Sequence, residues 1–193
     1  MRHQSIRMFK NDYLEKFTHI HPILPILIWG PVSGYFFYKA KDLAFSEILL
    51  TFLAGIFIWT LAEYILHRFV FHFEPKSKFG KWIIFVLHGV HHDDPQDPTR
   101  LVFAPPMGII VFTILYNFFG FFVPDQYFAC FMGSFLVGYL WYDYTHYATH
   151  HFTMTSKIGK YLRAYHLQHH YSHKPKKYGV SNPLWDYVFG TVD

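Results

Sequence analysis

The sequence contains a single cysteine, Cys130, in 193 residues. One cysteine excludes an intramolecular disulfide and any metal site built on paired thiolates. Charge is scarce as well. Asp, Glu, Lys and Arg make up 16% of the chain, against about 25% in soluble globular domains. There is no Gly-rich dinucleotide fingerprint, so reducing equivalents are expected from a separate protein. Residues 1–21 lack the cleavage pattern of a signal peptide and carry acidic side chains. The formal charge of +4 comes without a recognisable nucleic-acid module, and nucleic acid is not expected as a partner.

Apolar residues are abundant, at 52%, with 22% aromatic. They gather into four runs. The first covers residues 22–38, where Pro22, Pro25 and Pro31 predict an irregular or kinked helix. The second covers 46–66, enough helix to cross a bilayer core of roughly 30 Å. The third runs from Leu101 to Val123, and the fourth from Tyr127 to Tyr142 and onward to His150. Between the second and third lies a polar segment, 73–100, in which 81–92 reads as an interfacial helix. Four crossings put both termini and this segment on one side. Of the 17 Lys and Arg, all but Lys39 and Lys41 then fall on that side, which the positive-inside rule assigns to the cytoplasm. The expected fold class is an all-α integral membrane protein of four transmembrane helices, with a cytoplasmic histidine-rich cap holding a dimetal site. A single domain, 1–193, would comprise an N-terminal cytoplasmic segment 1–21, a membrane region 22–150 and a cap 151–193.

The histidines carry the chemistry. Ten of the 15 fall into four clusters: His67 and His72; His88, His91 and His92; His146 and His150; His166, His169 and His170. The last three clusters use helical spacings that place side chains on one face. His67 and His72 do not, since residues five apart diverge by about 140° on an ideal α-helix. Either they serve different metals or the helix ends between them. Ten imidazoles are too many for one ion and give about five to each of two, and imidazole suits Fe, Zn, Cu and Ni. No carboxylate sits at a ligand position. Glu63, Asp143, and Asp93 or Asp94 are candidates to orient imidazoles and offset the metal charge. His151 and His173 read as adjacent extras, and His3, His19 and His21 as surface or interfacial residues. Asn182-Pro-Leu-Trp185 is a candidate to close the site.

These stretches resemble the fatty acid hydroxylase superfamily of membrane di-iron enzymes, most nearly its fatty acid (sphingolipid) 2-hydroxylases. The resemblance spans roughly residues 55–190. It is carried by Glu63-Tyr-x-x-His-Arg-Phe-x-Phe-His72, His88-Gly-x-His-His92, Arg100-Leu-Val-Phe-x-Pro-Pro106, Gly138-Tyr-x-x-Tyr-Asp-x-x-His146-Tyr-x-x-His-His151, His166-x-x-His-His170 and Gly179-Val-Ser-x-x-Leu-Trp-Asp186. It implies that His67, His72, His88, His91, His92, His146, His150, His166, His169 and His170 bind two Fe ions. It also implies O2-dependent hydroxylation at C2 of a fatty-acyl lipid. Zinc is expected to compete in recombinant protein. Residues 1–21 are too few for the cytochrome b5 domain common in eukaryotic members. The implied electron donor is therefore a separate protein of cytochrome b5 or ferredoxin type. A sterol desaturase, methyl oxidase or carotenoid hydroxylase would share the metal pattern. A histidine-rich metal transporter would string its imidazoles along a path.

Overall fold

The structure is a computed structural model that describes residues 5–172 and 176–193. His3, His173, Arg2 and Lys174 lie outside the described residues. The described residues are mainly helical and contain no β-strand. In chain order the helices are α1 (Asp12–Lys16), α2 (Leu24–Lys39), α3 (Phe45–Ile65), α4 (Lys78–Ile84), α5 (Val90–Asp93), α6 (Pro105–Gly120), α7 (Asp125–His151), α8 (Lys157–Tyr171) and α9 (Leu184–Val188). Two π-helical segments interrupt this order: Leu66–Phe71 continues α3, and Phe85–Gly89 joins α4 to α5.

Local chemistry accounts for the starts. Asn11 caps α1 by accepting from Tyr13 N and Leu14 N. Ser77 and Ser156 accept from Gly80 N and Gly159 N at the starts of α4 and α8. Such caps satisfy amides that have no partner within the helix. Pro105 and Pro106 open α6, where a missing N–H costs nothing. Pro25 does the same in the first turn of α2, and Pro31 lies inside it. The sequence expectation of irregularity is met by one proline within an unbroken helix.

α7 is the central pillar, with α2 and α3 packed along it. Its Cys130, Met132, Phe135, Leu136 and Tyr139 are buried. Trp59 of α3 packs edge-on against Phe135 and Tyr139. That approach requires Gly138, because a Cβ there would sit 2.6 Å from Trp59 Cβ. Ser33 Oγ of α2 donates to Gly133 O at 2.8 Å. Small residues thus let backbones close in, as in membrane helix pairs.

Among the described residues one helix, α3 with its π-helical extension (Phe45–Phe71, 27 residues), is long and apolar enough to cross a bilayer, with an 18-residue stretch of mean hydropathy 1.9. α6 is apolar but has 16 residues. At 1.5 Å per residue that is about 24 Å, short of the roughly 30 Å core. α6 begins at Pro105, four residues later than the expected start of the third span, because Leu101 to Ala104 run outside helix and line the site. Leu50, Ile114 and Phe121 are 68%, 62% and 85% exposed, an apolar surface larger than water tolerates on a monomer.

Candidate metal centre

The last turn of α3 resolves the spacing problem at His67 and His72. The π-helix bonds residues five apart, and His72 N donates to His67 O at 3.2 Å. Both imidazoles then point the same way, with Nε2 atoms 3.3 Å apart. Of the two readings, separate metals is corrected here: the α-helix gives way to a π turn that ends at Phe71, between the two residues, and both imidazoles join one set. The second π segment leads into His88. From there His88 and His92 face one group of imidazoles and His91 faces another.

The ten clustered histidines fall into two sets of five. His67, His72, His88, His92 and His169 form one; His91, His146, His150, His166 and His170 form the other. Within each, one nitrogen per residue lies within 4.8 Å of all the others. The facing atoms are Nε2. In the first set His92 and His88 are 2.9 Å apart, and His72 and His169 3.0 Å. In the second, His146 lies 2.9 Å from His91, and His150 2.8 Å from His166. Neighbouring ligands on an octahedral ion, at about 2.1 Å per metal–nitrogen bond, would be about 3 Å apart. The donor sets therefore fit two ions.

The electrostatics agree. Burial, reinforced by the neighbouring imidazoles, pushes His88, His91 and His166 well below the usual histidine range. The same causes lower His72 to about 3 and His92 to about 2. Neutral imidazole is the form that ligates. With Nε2 facing inward, Nδ1 carries the proton. His67 Nδ1 donates to Tyr178 O and His169 Nδ1 to Lys176 O, both at 2.5 Å.

Neither expected carboxylate touches an imidazole. Glu63 is buried, and it accepts from Val180 N at 2.7 Å and Ser181 N at 2.8 Å, and from the Ser181 hydroxyl. Asp143 accepts from Phe103 N and the Tyr139 hydroxyl. Both hold backbone that walls the site. Asp93 is exposed. His151 stands outside both sets, against Tyr147. Trp185 donates to Thr60 Oγ1 and packs on Phe57, so it fastens α9 to α3 rather than closing the site.

Some participants were given no role by the sequence, although Arg100 and Asp186 lie in the stretches that carry the resemblance. The carbonyls of Lys176 and Tyr178 have no side-chain signature at all. Asp186 is fully buried and accepts from Tyr178 N at 2.8 Å and Gly179 N at 2.7 Å, which fixes the strand of backbone that orients His67. Arg100 is buried, pairs with Glu15 and lies 3.6 Å from Asp97. That pairing latches α1 over the segment before α6; Ile20 N also donates to Thr99 O at 2.7 Å.

Two cavities meet beside the imidazoles. One is lined by His88, His91, His146, Asp143 and Arg100 and roofed by Met8, Phe9 and Phe17. The other is a narrow cleft among α2, α3, α6 and α7, with a volume of about 50 Å³, lined by apolar side chains such as Trp29, Phe112 and Leu136. Phe71, Phe103 and Tyr142 line both. A mostly apolar chamber edged by imidazoles, Asp143 and Arg100, beside a wholly apolar cleft, suits a molecule with a polar end and a long tail.

Comparison with known proteins matches this arrangement. A family model described as fatty acid hydroxylase matches residues 52–191. A dihydroceramide fatty acyl 2-hydroxylase of Arabidopsis thaliana is 38% identical over 96% of this chain and 79% of its own length. A ceramide very long chain fatty acid hydroxylase of Schizosaccharomyces pombe is 36% identical over 97% of this chain and 55% of its own. A solved structure described as full length scs7p, with only the hydroxylase domain visible, superposes with a TM-score of 0.89 at 35% identity, covering 95% of this chain and 70% of that one. All ten imidazoles of the two sets fall inside the matched residues, and the chain belongs to the fatty acid hydroxylase family.

Proposed function

We propose that this protein is an O2-dependent di-iron hydroxylase that inserts a hydroxyl at C2 of a fatty acid or of the acyl chain of a sphingolipid. The observation that carries the reading is the pair of five-imidazole sets beside two adjoining, mainly apolar cavities. His67, His72, His88, His92 and His169 would hold one iron; His91, His146, His150, His166 and His170 would hold the other. Bound there, the irons would supply the activation of O2 that the protein's own side chains cannot perform.

The chain's residues do the rest. The apolar cavity takes the acyl tail, and its walls exclude water from the reacting carbon. Phe71, Phe103 and Tyr142, shared by both cavities, hold the chain near its polar end, so that C2 rather than a distal carbon faces the imidazoles. Glu63 and Asp186 keep residues 178–181 in place, and through Tyr178 O they keep His67 aimed. Imidazoles gathered at two points, not spaced along a path, oppose the transporter reading. In the membrane we assign four crossings, α2, α3, α6 and α7, with the imidazoles, both termini and the cap on the cytoplasmic side. Electrons come from a separate carrier of cytochrome b5 or ferredoxin type.

The test is direct. Iron-loaded protein in lipid nanodiscs, given a reductant, O2 and an N-acyl lipid, should yield a product heavier by one oxygen with the hydroxyl at C2. Loss of two hydrogens would indicate a desaturase. An unchanged lipid would refute the enzymatic reading.

A further inference from the structure

Hydroxylation balances as R–H + O2 + 2 e⁻ + 2 H⁺ → R–OH + H2O, so each turnover draws two electrons from outside the imidazole sets. α8 separates those sets from water by one helix. Its inner face carries His166, His169 and His170, while Lys157, Lys160, Gln168 and Tyr171 on it are exposed. Gln168 and Tyr171, with Ala164 and Lys176, line an open depression on this face. Tyr171 is 68% exposed and its ring lies 6.4 Å from that of His170. His170, partly exposed, stacks on His92 at 4.2 Å, the closest ring pair among the ten imidazoles. His92 belongs to one set and His170 to the other. The depression therefore lies one residue from the point where the two sets touch.

The charge on this side has one sign. Between residues 151 and 185 the sequence has no Asp or Glu, while Lys157 and Lys160 are exposed and Arg163 and Lys176 partly so. A surface of one sign steers an oppositely charged partner and orients it on arrival. We propose that the outer face of α8 is the docking surface for an acidic one-electron carrier protein, which presents its redox group over Tyr171 and the His92–His170 stack. The proposal rests on the hydroxylase reading for its need of electrons, but its test does not depend on product.

The probe is the soluble haem domain of cytochrome b5, with the iron-loaded full chain in zwitterionic nanodiscs. Binding should weaken at high salt. The triple variant Lys157→Glu, Lys160→Glu, Gln168→Glu should bind about tenfold more weakly and be reduced correspondingly more slowly by the carrier. Its metal content, its thermal midpoint and its lipid oxidation driven by ascorbate should match wild type. Lys157→Gln with Lys160→Gln should show a smaller loss of the same kind. Wild-type binding and reduction rates in the triple variant would overturn the docking face. So would lysine footprinting in which anionic vesicles, but not the carrier, shield Lys157 and Lys160, because the face would then belong to the membrane surface. If ascorbate drives no lipid oxidation in either protein, the hydroxylase reading fails, while the rate of iron reduction by the carrier still decides where the carrier docks.

Discussion

At the scale of single residues, the two imidazole sets make separable predictions. His91→Ala should remove metal from one set and His67→Ala from the other. Each should lower bound metal from about two ions per chain to about one, read by elemental analysis of purified protein; an unchanged count would refute the ligand role of that residue. Asp186 is the residue whose loss should matter most without any ligand being touched. Asp186→Ala leaves Tyr178 N and Gly179 N buried without an acceptor, a cost of about 3 kcal/mol. The thermal midpoint should fall, and metal affinity with it, because Tyr178 O would no longer be held against His67 Nδ1. The titration of the imidazoles has a definite sign. His72 and His92 are lowered from 6.5 to about 3 and about 2 in the fold. In the unfolded chain they take up protons as pH falls below 6.5, while in the fold they stay neutral. Their contribution is therefore fully present above 6.5 and is lost as pH falls from there toward 3. The melting temperature of metal-free protein in detergent should be flat above about pH 7 and decline below it; a midpoint that rose on acidification would contradict the buried, neutral assignment.

At the scale of elements, the site depends on two departures from α-helix and one close helix pair. The π segment Leu66–Phe71 turns a spacing of five into a shared direction. The segment Phe85–Gly89 carries His88 and leads into His91 and His92 of α5, and these three divide between the two sets. Such segments are found mostly at functional sites, because their hydrogen bonding is poorer than that of the α-helix. The α3–α7 contact holds the delivering ends together. Gly138→Ala would drive a methyl into Trp59, an overpacking cost of about 1–3 kcal/mol. Lower thermal stability is expected, together with looser metal binding at His67 and His146, which lie near the C-terminal ends of those helices. Thermal denaturation and metal titration in detergent would read both, and a neutral outcome would show that α3 and α7 can part without disturbing the imidazoles.

At the scale of the whole molecule, α7 acts as a pillar whose lower half is packed among α2 and α3 and whose upper half carries Asp143, His146 and His150. The apolar cleft lies alongside the middle of α7, at Phe135, Leu136, Tyr139 and Tyr142, and the imidazoles beyond it; under the proposed function the tail and the reacting end of a lipid would be sorted by depth. Topology is open to measurement. Single cysteines placed at exposed Lys76 and Lys157 should be labelled from the cytoplasmic side, and one at Lys41 from the opposite side. Labelling of all three from one side would reject the four-crossing arrangement.

The clusters of histidine, the run long enough to form α3 and the bias of Lys and Arg are all written locally, in residue type and spacing, so the sequence alone determines a helical, histidine-lined protein with a candidate metal centre. Which imidazoles share an ion was not legible there. His67 and His72 look divergent by α-helical geometry and converge through a π turn. His88, His91 and His92 read from sequence as a cluster linking two ions, and they do divide between the two sets, but which joins which is decided by the fold. Glu63 and Asp143 read as partners of the imidazoles by proximity in sequence, yet their carboxylates bind the backbone of Val180, Ser181 and Phe103. Tyr178 and Lys176 act through carbonyl oxygens that every residue possesses. Those assignments belong to tertiary structure, because a ligand's direction is set by helix winding and by backbone arriving from more than 100 residues away, and neither leaves a pattern in the order of side chains.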